Sequence, residues 1–131
     1  MIAGGASRGR ELPETIFQRC GGFAVVREIV SAFYRRMLES RALGAYFAGI
    51  DIPRLIDHQT MFVTQIMGGP ADLPDRQLVR AHAGLGITPE EFDEMVGLLR
   101  ITLEEHDLAP ADVAAVLGEV QRRRQLIVAP S

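Results

Sequence analysis

An all-α fold is what this chain predicts, and three observations carry the prediction. Apolar residues recur at three- and four-residue intervals through Phe23, Val26, Val30, Phe33 and Met37, and again through Phe92, Met95, Val96, Leu99 and Leu103. That spacing is the period of an amphipathic helix. Thr88-Pro89-Glu90-Glu91 has the form of a helix start, with a hydroxyl to cap, a proline in the first turn and a glutamate able to reach back. No alternating run is long enough for a strand, and no internal repeat is present.

Composition narrows the class further. At 131 residues the chain forms one domain with a sizeable core, residues 12–131, preceded by a Gly-, Ala-, Ser- and Arg-rich flexible leader over residues 1–11. Hydrophobic residues make up 47%, yet no run approaches the roughly 18 to 20 apolar residues of a membrane span. The leader lacks the apolar centre of a signal peptide, which favours the cytoplasm. Cys20 is the single cysteine, so an intramolecular disulfide and a cysteine-based zinc cluster are excluded; beside a glycine turn it reads as a small apolar filler. A net charge of −3 with no broad basic stripe argues against nucleic acid. All 14 basic residues are arginine, which removes Schiff-base and phosphate-loop lysine mechanisms. Arg122 to Arg124 is expected to be a solvated helix end.

Taken in order, Pro13 to Arg19 is a short helix ending at Gly21-Gly22, a pair that lets the chain reverse through backbone angles closed to other residues. The helix through Phe23 and Met37 follows, with Tyr34 beside its apolar stripe. A turn over Ala42 to Gly49 holds Tyr46 and Phe47. Asp51 caps the next helix, Ile52 to Met67, with Pro53 tolerated in its first turn. Its inner face carries Leu55, Phe62 and Ile66, and Gln59 sits among them as a polar amide that needs partners if buried. The loop Gly68 to Asp75 separates this helix from a short segment, Arg76 to Ile87, with little helix around His82. The Thr88 helix runs to about His106, expected to be an exposed histidine at its end. Ala109-Pro110 opens the last helix, with Val113, Val116, Leu117 and Val120 facing inward.

Chemistry in this chain rests on few groups. The three histidines, His58, His82 and His106, are too far apart for two ligands on adjacent turns of one helix, and no Ser or Cys lies in a nucleophile motif. By itself His82 reads first as a core or capping histidine held by a backbone group. One imidazole, with a tyrosine and a glutamine facing inward from separate helices amid Phe, Leu, Val and Met, suits a haem iron with one protein ligand and a gas on the other face.

The order of these residues carries a resemblance. Gly21-Gly22, Phe33-Tyr34, Tyr46-Phe47, His58-Gln59 with Phe62, Gly68-Gly69-Pro70, and Ala81-His82-Ala83-Gly84-Leu85-Gly86-Ile87 with Phe92 resemble the truncated haemoglobins, most closely group I, over about residues 12 to 127. The resemblance implies a globin-like two-over-two helical sandwich around haem, with a mostly irregular segment before the proximal ligand. It implies His82 as that ligand, and Tyr34 and Gln59 as the distal pair that stabilises bound dioxygen. Phe47 matches the aromatic wedged against the haem face; Leu55, Phe62, Leu78, Ile87 and Phe92 line the ring, and Arg76 pairs with a propionate. His58 matches a position that in some members binds iron from the distal side, and that otherwise faces solvent or a propionate. Leu73 stands where many relatives have Tyr, and Asp75 where Gly is frequent. No histidine follows His106, so the covalent haem attachment of some relatives cannot form that way, and haem b is implied. The partners implied are dioxygen, with nitric oxide and carbon monoxide as further diatomic ligands, in a monomer or weak dimer. Two alternatives stay open: nitric oxide dioxygenation with an external reductase, and a haem-free helical sensor or interaction module.

Overall fold

A computed structural model describes residues 14–129. The expected leader over residues 1–11, and Pro13 at the head of the first predicted helix, lie outside the described residues. Helix α1, Ile16–Cys20, starts from Thr15, whose hydroxyl accepts from the Gln18 N–H while the Gln18 side chain returns to the Thr15 N–H. That capping box extends to the first helix the start signal foreseen for Thr88. Gly21 and Gly22 then turn the chain at φ of 121° and 85°, angles that side chains with a Cβ rarely adopt.

Helix α2, Phe23–Glu39, buries Val26, Ile29, Val30, Phe33, Tyr34 and Met37 along one face, and each aliphatic side chain so buried contributes about 1.5–3 kcal/mol. A short 3-10 turn, Gly44–Phe47, brings Tyr46 and Phe47 under it. Helix α3, Ile52–Ile66, is capped by the Asp51 carboxylate accepting from the Arg54 N–H at 3.2 Å. Helix α5, Pro89–Glu105, has the capping box that Thr88 and Glu91 predict. Helix α6, Pro110–Arg122, buries Val113, Val116, Leu117 and Val120 as expected.

The pair α2 and α3 packs over the pair α5 and α6, with α2 meeting α5 and α3 meeting α6. This is the two-over-two sandwich, and every element among the described residues is helical. Phe17 ties α1 to the end of α3 through its N–H to the Met67 carbonyl at 3.0 Å. Next to it Gly69 has no room for a side chain: a Cβ there would lie 2.6 Å from the Phe17 ring and 2.7 Å from the Thr64 methyl.

Three expectations need correction. The segment before His82 is regular: α4, Asp75–His82, makes about two helical turns, with Pro74 at its N-cap and Leu78 buried beneath it. Pro74 ends the preceding loop in extended geometry, and the Gln65 amide holds that loop by donating to the Leu73 carbonyl at 3.2 Å and accepting its N–H. Arg122 to Arg124 is no uniformly solvated end, because the chain folds back into a last turn, α7, Arg124–Ile127. Arg123 and Arg124 lie over the Phe62 and Phe92 rings, at 5.7 Å and 5.0 Å. His106 is half-buried rather than exposed, with Nδ1 donating to the Thr102 carbonyl at 2.8 Å.

Candidate functional site

A cavity of about 280 Å³ lies between the two helix pairs. Its wall is assembled from every long helix. From α2 come Phe33, Tyr34 and Met37; from α3, Leu55, Gln59, Phe62, Val63 and Ile66; from α4, Leu78, Ala81 and His82. The loop after α4 adds Leu85 and Ile87, and α5 and α6 add Phe92, Met95, Leu99, Val116 and Val120. Burial follows from the helix period, since the positions that face the core also face the cavity at its centre.

Of the residues singled out in the sequence, Tyr34, Phe47, Leu55, Gln59, Phe62, Leu78, His82, Ile87 and Phe92 all line this cavity. His58 and Arg76 do not. Both are exposed, and His58 borders a small side cleft with Gln77, Leu73 and Pro74 that shares Gln59, Phe62, Leu78 and Ala81 with the main cavity. A step of one residue, about 100° around the helix, separates His58 from Gln59 and accounts for their different surroundings.

The polar groups of the wall are few and each is held differently. His82 Nδ1 lies 2.8 Å from the Leu78 carbonyl, one turn back in α4. A carbonyl only accepts, so Nδ1 carries the hydrogen, and in the neutral imidazole Nε2 is the nitrogen with the lone pair. Tyr34 is 7% exposed and meets Phe33 and Phe47 edge to face, at centroid distances of 5.4 and 5.6 Å. Burial pushes its phenol well above the usual tyrosine range, which keeps the hydroxyl protonated and able to donate. Gln59, half-buried, is the other side chain on the α2 and α3 walls that brings hydrogen-bond donors to the cavity.

The rim holds the pair that sequence reasoning missed. Tyr46 donates to Glu91 Oε1 at 2.6 Å, and the same oxygen accepts the Thr88 N–H at 2.9 Å. Both residues line the cavity, beside the exposed Ile50 and Leu85. The Glu91 carboxyl is held below the usual carboxylate range, first by the Tyr46 hydroxyl and then by the Thr88 backbone, and the Tyr46 phenol is raised by the same bond. Thr88-x-x-Glu91 signals the helix cap in the sequence, but nothing there signals a partner 45 positions earlier.

Chemically, this is a largely apolar cavity with one imidazole on the α4 wall and two neutral hydrogen-bond donors on the α2 and α3 walls. Such a donor set fits a large apolar group that carries one metal centre, better than it fits a polar metabolite, for which the wall has too few partners. Groups of three or more acidic, His or Cys side chains that could hold a bare metal ion are absent among the described residues.

The family model of the bacterial-like globins matches residues 15–128. The chain is 32% identical over 121 residues to a group 1 truncated hemoglobin of Synechocystis sp., covering 86% of this chain and 97% of that one. Among solved structures, the truncated hemoglobin of Tetrahymena pyriformis in its Fe(III) form shares the fold at a TM-score of 0.82, with 24% identity over 89% of this chain and 100% of that one. The 2/2 hemoglobin of Synechococcus sp., solved in the cyanomet state with covalently attached heme, aligns at a TM-score of 0.76, with 26% identity over 87% of this chain and 98% of that one.

Proposed function

The chain belongs to the group I truncated haemoglobins, within the bacterial-like globins, and from that premise we propose that its cavity holds a non-covalent b-type haem for reversible binding of dioxygen and other diatomic ligands. The observation that carries this reading is the placement of His82, Tyr34 and Gln59 on the walls of one apolar cavity. When bound, the haem supplies an iron with a position open to a diatomic gas.

The protein's part is positioning and solvation. His82 presents Nε2, and the Nδ1 bond to Leu78 fixes its tautomer and raises its basicity. Tyr34 and Gln59 donate to a gas ligand that has drawn negative charge, and in a water-poor cavity such bonds are worth more than in solution. Phe47 packs against Tyr34 and limits where the phenol can point. Leu55, Phe62, Leu78, Ile87 and Phe92 supply apolar contact for the ring, with Arg76 at the surface available to a propionate. The C-terminal part offers no histidine after His106, which supports non-covalent attachment.

A titration of the purified protein with haemin tests the reading. A Soret band typical of histidine ligation is expected, lost or strongly shifted in His82→Ala. An unshifted haemin spectrum, or an identical one in the variant, overturns it and favours a haem-free helical module.

A second reading uses the same two donors. A pocket that retains dioxygen also suits conversion of nitric oxide and dioxygen to nitrate, which consumes one electron per turnover. The chain has no flavin or nicotinamide motif, so an external reductase has to supply it. Stopped-flow mixing of the oxygenated protein with nitric oxide decides this: rapid stoichiometric nitrate supports it, and slow decay without nitrate refutes it.

A further inference from the structure

We propose that Arg123 is a positioning residue for His82, setting where α4 stands against the cavity. The proposal rests on the haem reading only for what His82 ligates; the mechanical part concerns the protein alone.

Helix α4 carries His82, and its principal helix partner is the short C-terminal turn α7. Whatever holds α7 therefore holds the histidine. Arg123 is the joint between α6 and α7, closing one and opening the other. Its guanidinium reaches three elements at once. Nη1 donates to the Glu119 carbonyl at 2.7 Å and to the Glu119 carboxylate at 3.1 Å, which ties it to α6. Cζ stands 5.7 Å from the centre of the Phe62 ring on α3, within cation–π range. Nε lies 3.9 Å from Oδ1 of Asp75, the first residue of α4.

The side chain is 18% exposed, so its charge is poorly screened. Its Nε is buried and has no hydrogen-bond partner, an unfavourable state for a donor. Asp75 is the carboxylate that faces it, and the attraction pulls the first turn of α4 toward α7. At the other end of α4, the Ala129 N–H donates to the Ile87 carbonyl at 2.8 Å and pins the loop that follows His82. Both ends of the His82-bearing unit are thus fastened to the segment from Arg123 to Ala129. Phe62 lines the cavity as well as meeting Arg123, so the same guanidinium links the spacing of α3 and α4.

Its neighbour provides the internal comparison. Arg124 stacks on Phe92 at 5.0 Å and bonds Asp93 at 2.8 Å, both on α5. Loss of Arg124 disturbs α7 without touching Asp75 or Phe62. A lysine at position 123 keeps the charge but cannot hold a carbonyl, a carboxylate and an aromatic face together.

The test is amide hydrogen exchange across Asp75–His82 in the purified full-length protein, with the His82–iron stretching band of the ferrous haem form by resonance Raman as the second readout. Arg123→Ala should raise exchange in α4 by about tenfold or more, a local opening rather than global unfolding, and should shift or broaden the stretching band. Arg123→Lys should fall between wild type and Arg123→Ala, Asp75→Asn should give a smaller rise in the same direction, and Arg124→Ala, which reaches α4 only through α7, should raise α4 exchange less than Arg123→Ala. Unchanged exchange in Arg123→Ala, or an equal rise in Arg124→Ala, overturns the proposal. Should Arg123→Ala fail to fold, Asp75→Asn decides, because its carboxylate is largely exposed and unchanged exchange there is also refuting. If wild type fails to bind haemin, the haem reading falls while the exchange data still judge Arg123.

Discussion

Tyr46 and Glu91 meet at the rim of the cavity, with 2.6 Å between the phenolic oxygen and Oε1, and their bond joins the turn below α2 to the first turn of α5. Two elements far apart in sequence are held by one side-chain contact beside the exposed Ile50 and Leu85.

That contact gives the rim a dependence on pH. Glu91 has a folded-state value below its unfolded one, because of Tyr46 first and Thr88 second. Its contribution is therefore present above the ordinary carboxylate value of about 4.3, and it is lost as pH falls through the lower folded value. Tyr46 is raised chiefly by the bond to Glu91, so its contribution persists through neutral pH and is lost as pH rises past its folded value. Tyr46→Phe should speed haem transfer to an excess of apo-myoglobin at neutral pH and flatten the acid limb of that rate. Identical transfer rates for the variant and wild type from neutral pH to pH 3 would show that the contact does not guard the rim.

Tyr34→Phe should increase the dioxygen dissociation rate. A hydrogen bond to a charged acceptor is worth about 1.5–3 kcal/mol, or roughly 10- to 100-fold in rate. Flash photolysis or stopped-flow displacement measures it, and an unchanged rate removes the phenol from the ligand-stabilising role.

His58→Ala should leave the resting ferric spectrum as it is in wild type. The side chain is exposed and borders the side cleft rather than the cavity. A change from a six-coordinate low-spin to a high-spin spectrum in the variant would instead identify His58 as an iron ligand.

Gly69→Ala should destabilise the fold by about 1–3 kcal/mol, the range for overpacking a filled site. The new methyl would press on the Phe17 ring and the buried Thr64. Urea unfolding reads the loss directly, and stability equal to wild type would mean that α1 yields at no cost.

Much of this molecule is legible in its sequence. Helical period and caps placed α2, α3, α5 and α6 and set Gln59 within an apolar stripe, because burial on a helix repeats at a spacing that sequence displays; His82 and Tyr34 were marked as site residues by the family resemblance. Other features were not legible. The two turns of α4, the return of Arg123 and Arg124 onto Phe62 and Phe92, and the bond from Tyr46 to Glu91 all depend on contacts between residues that local pattern does not relate. His82 shows the division most clearly. Its chemistry was set by residue type, an imidazole that can offer one lone pair. Which nitrogen offers it was decided only when α4 placed the Leu78 carbonyl 2.8 Å from Nδ1, since a tautomer of the neutral ring is fixed by the partner that folding supplies.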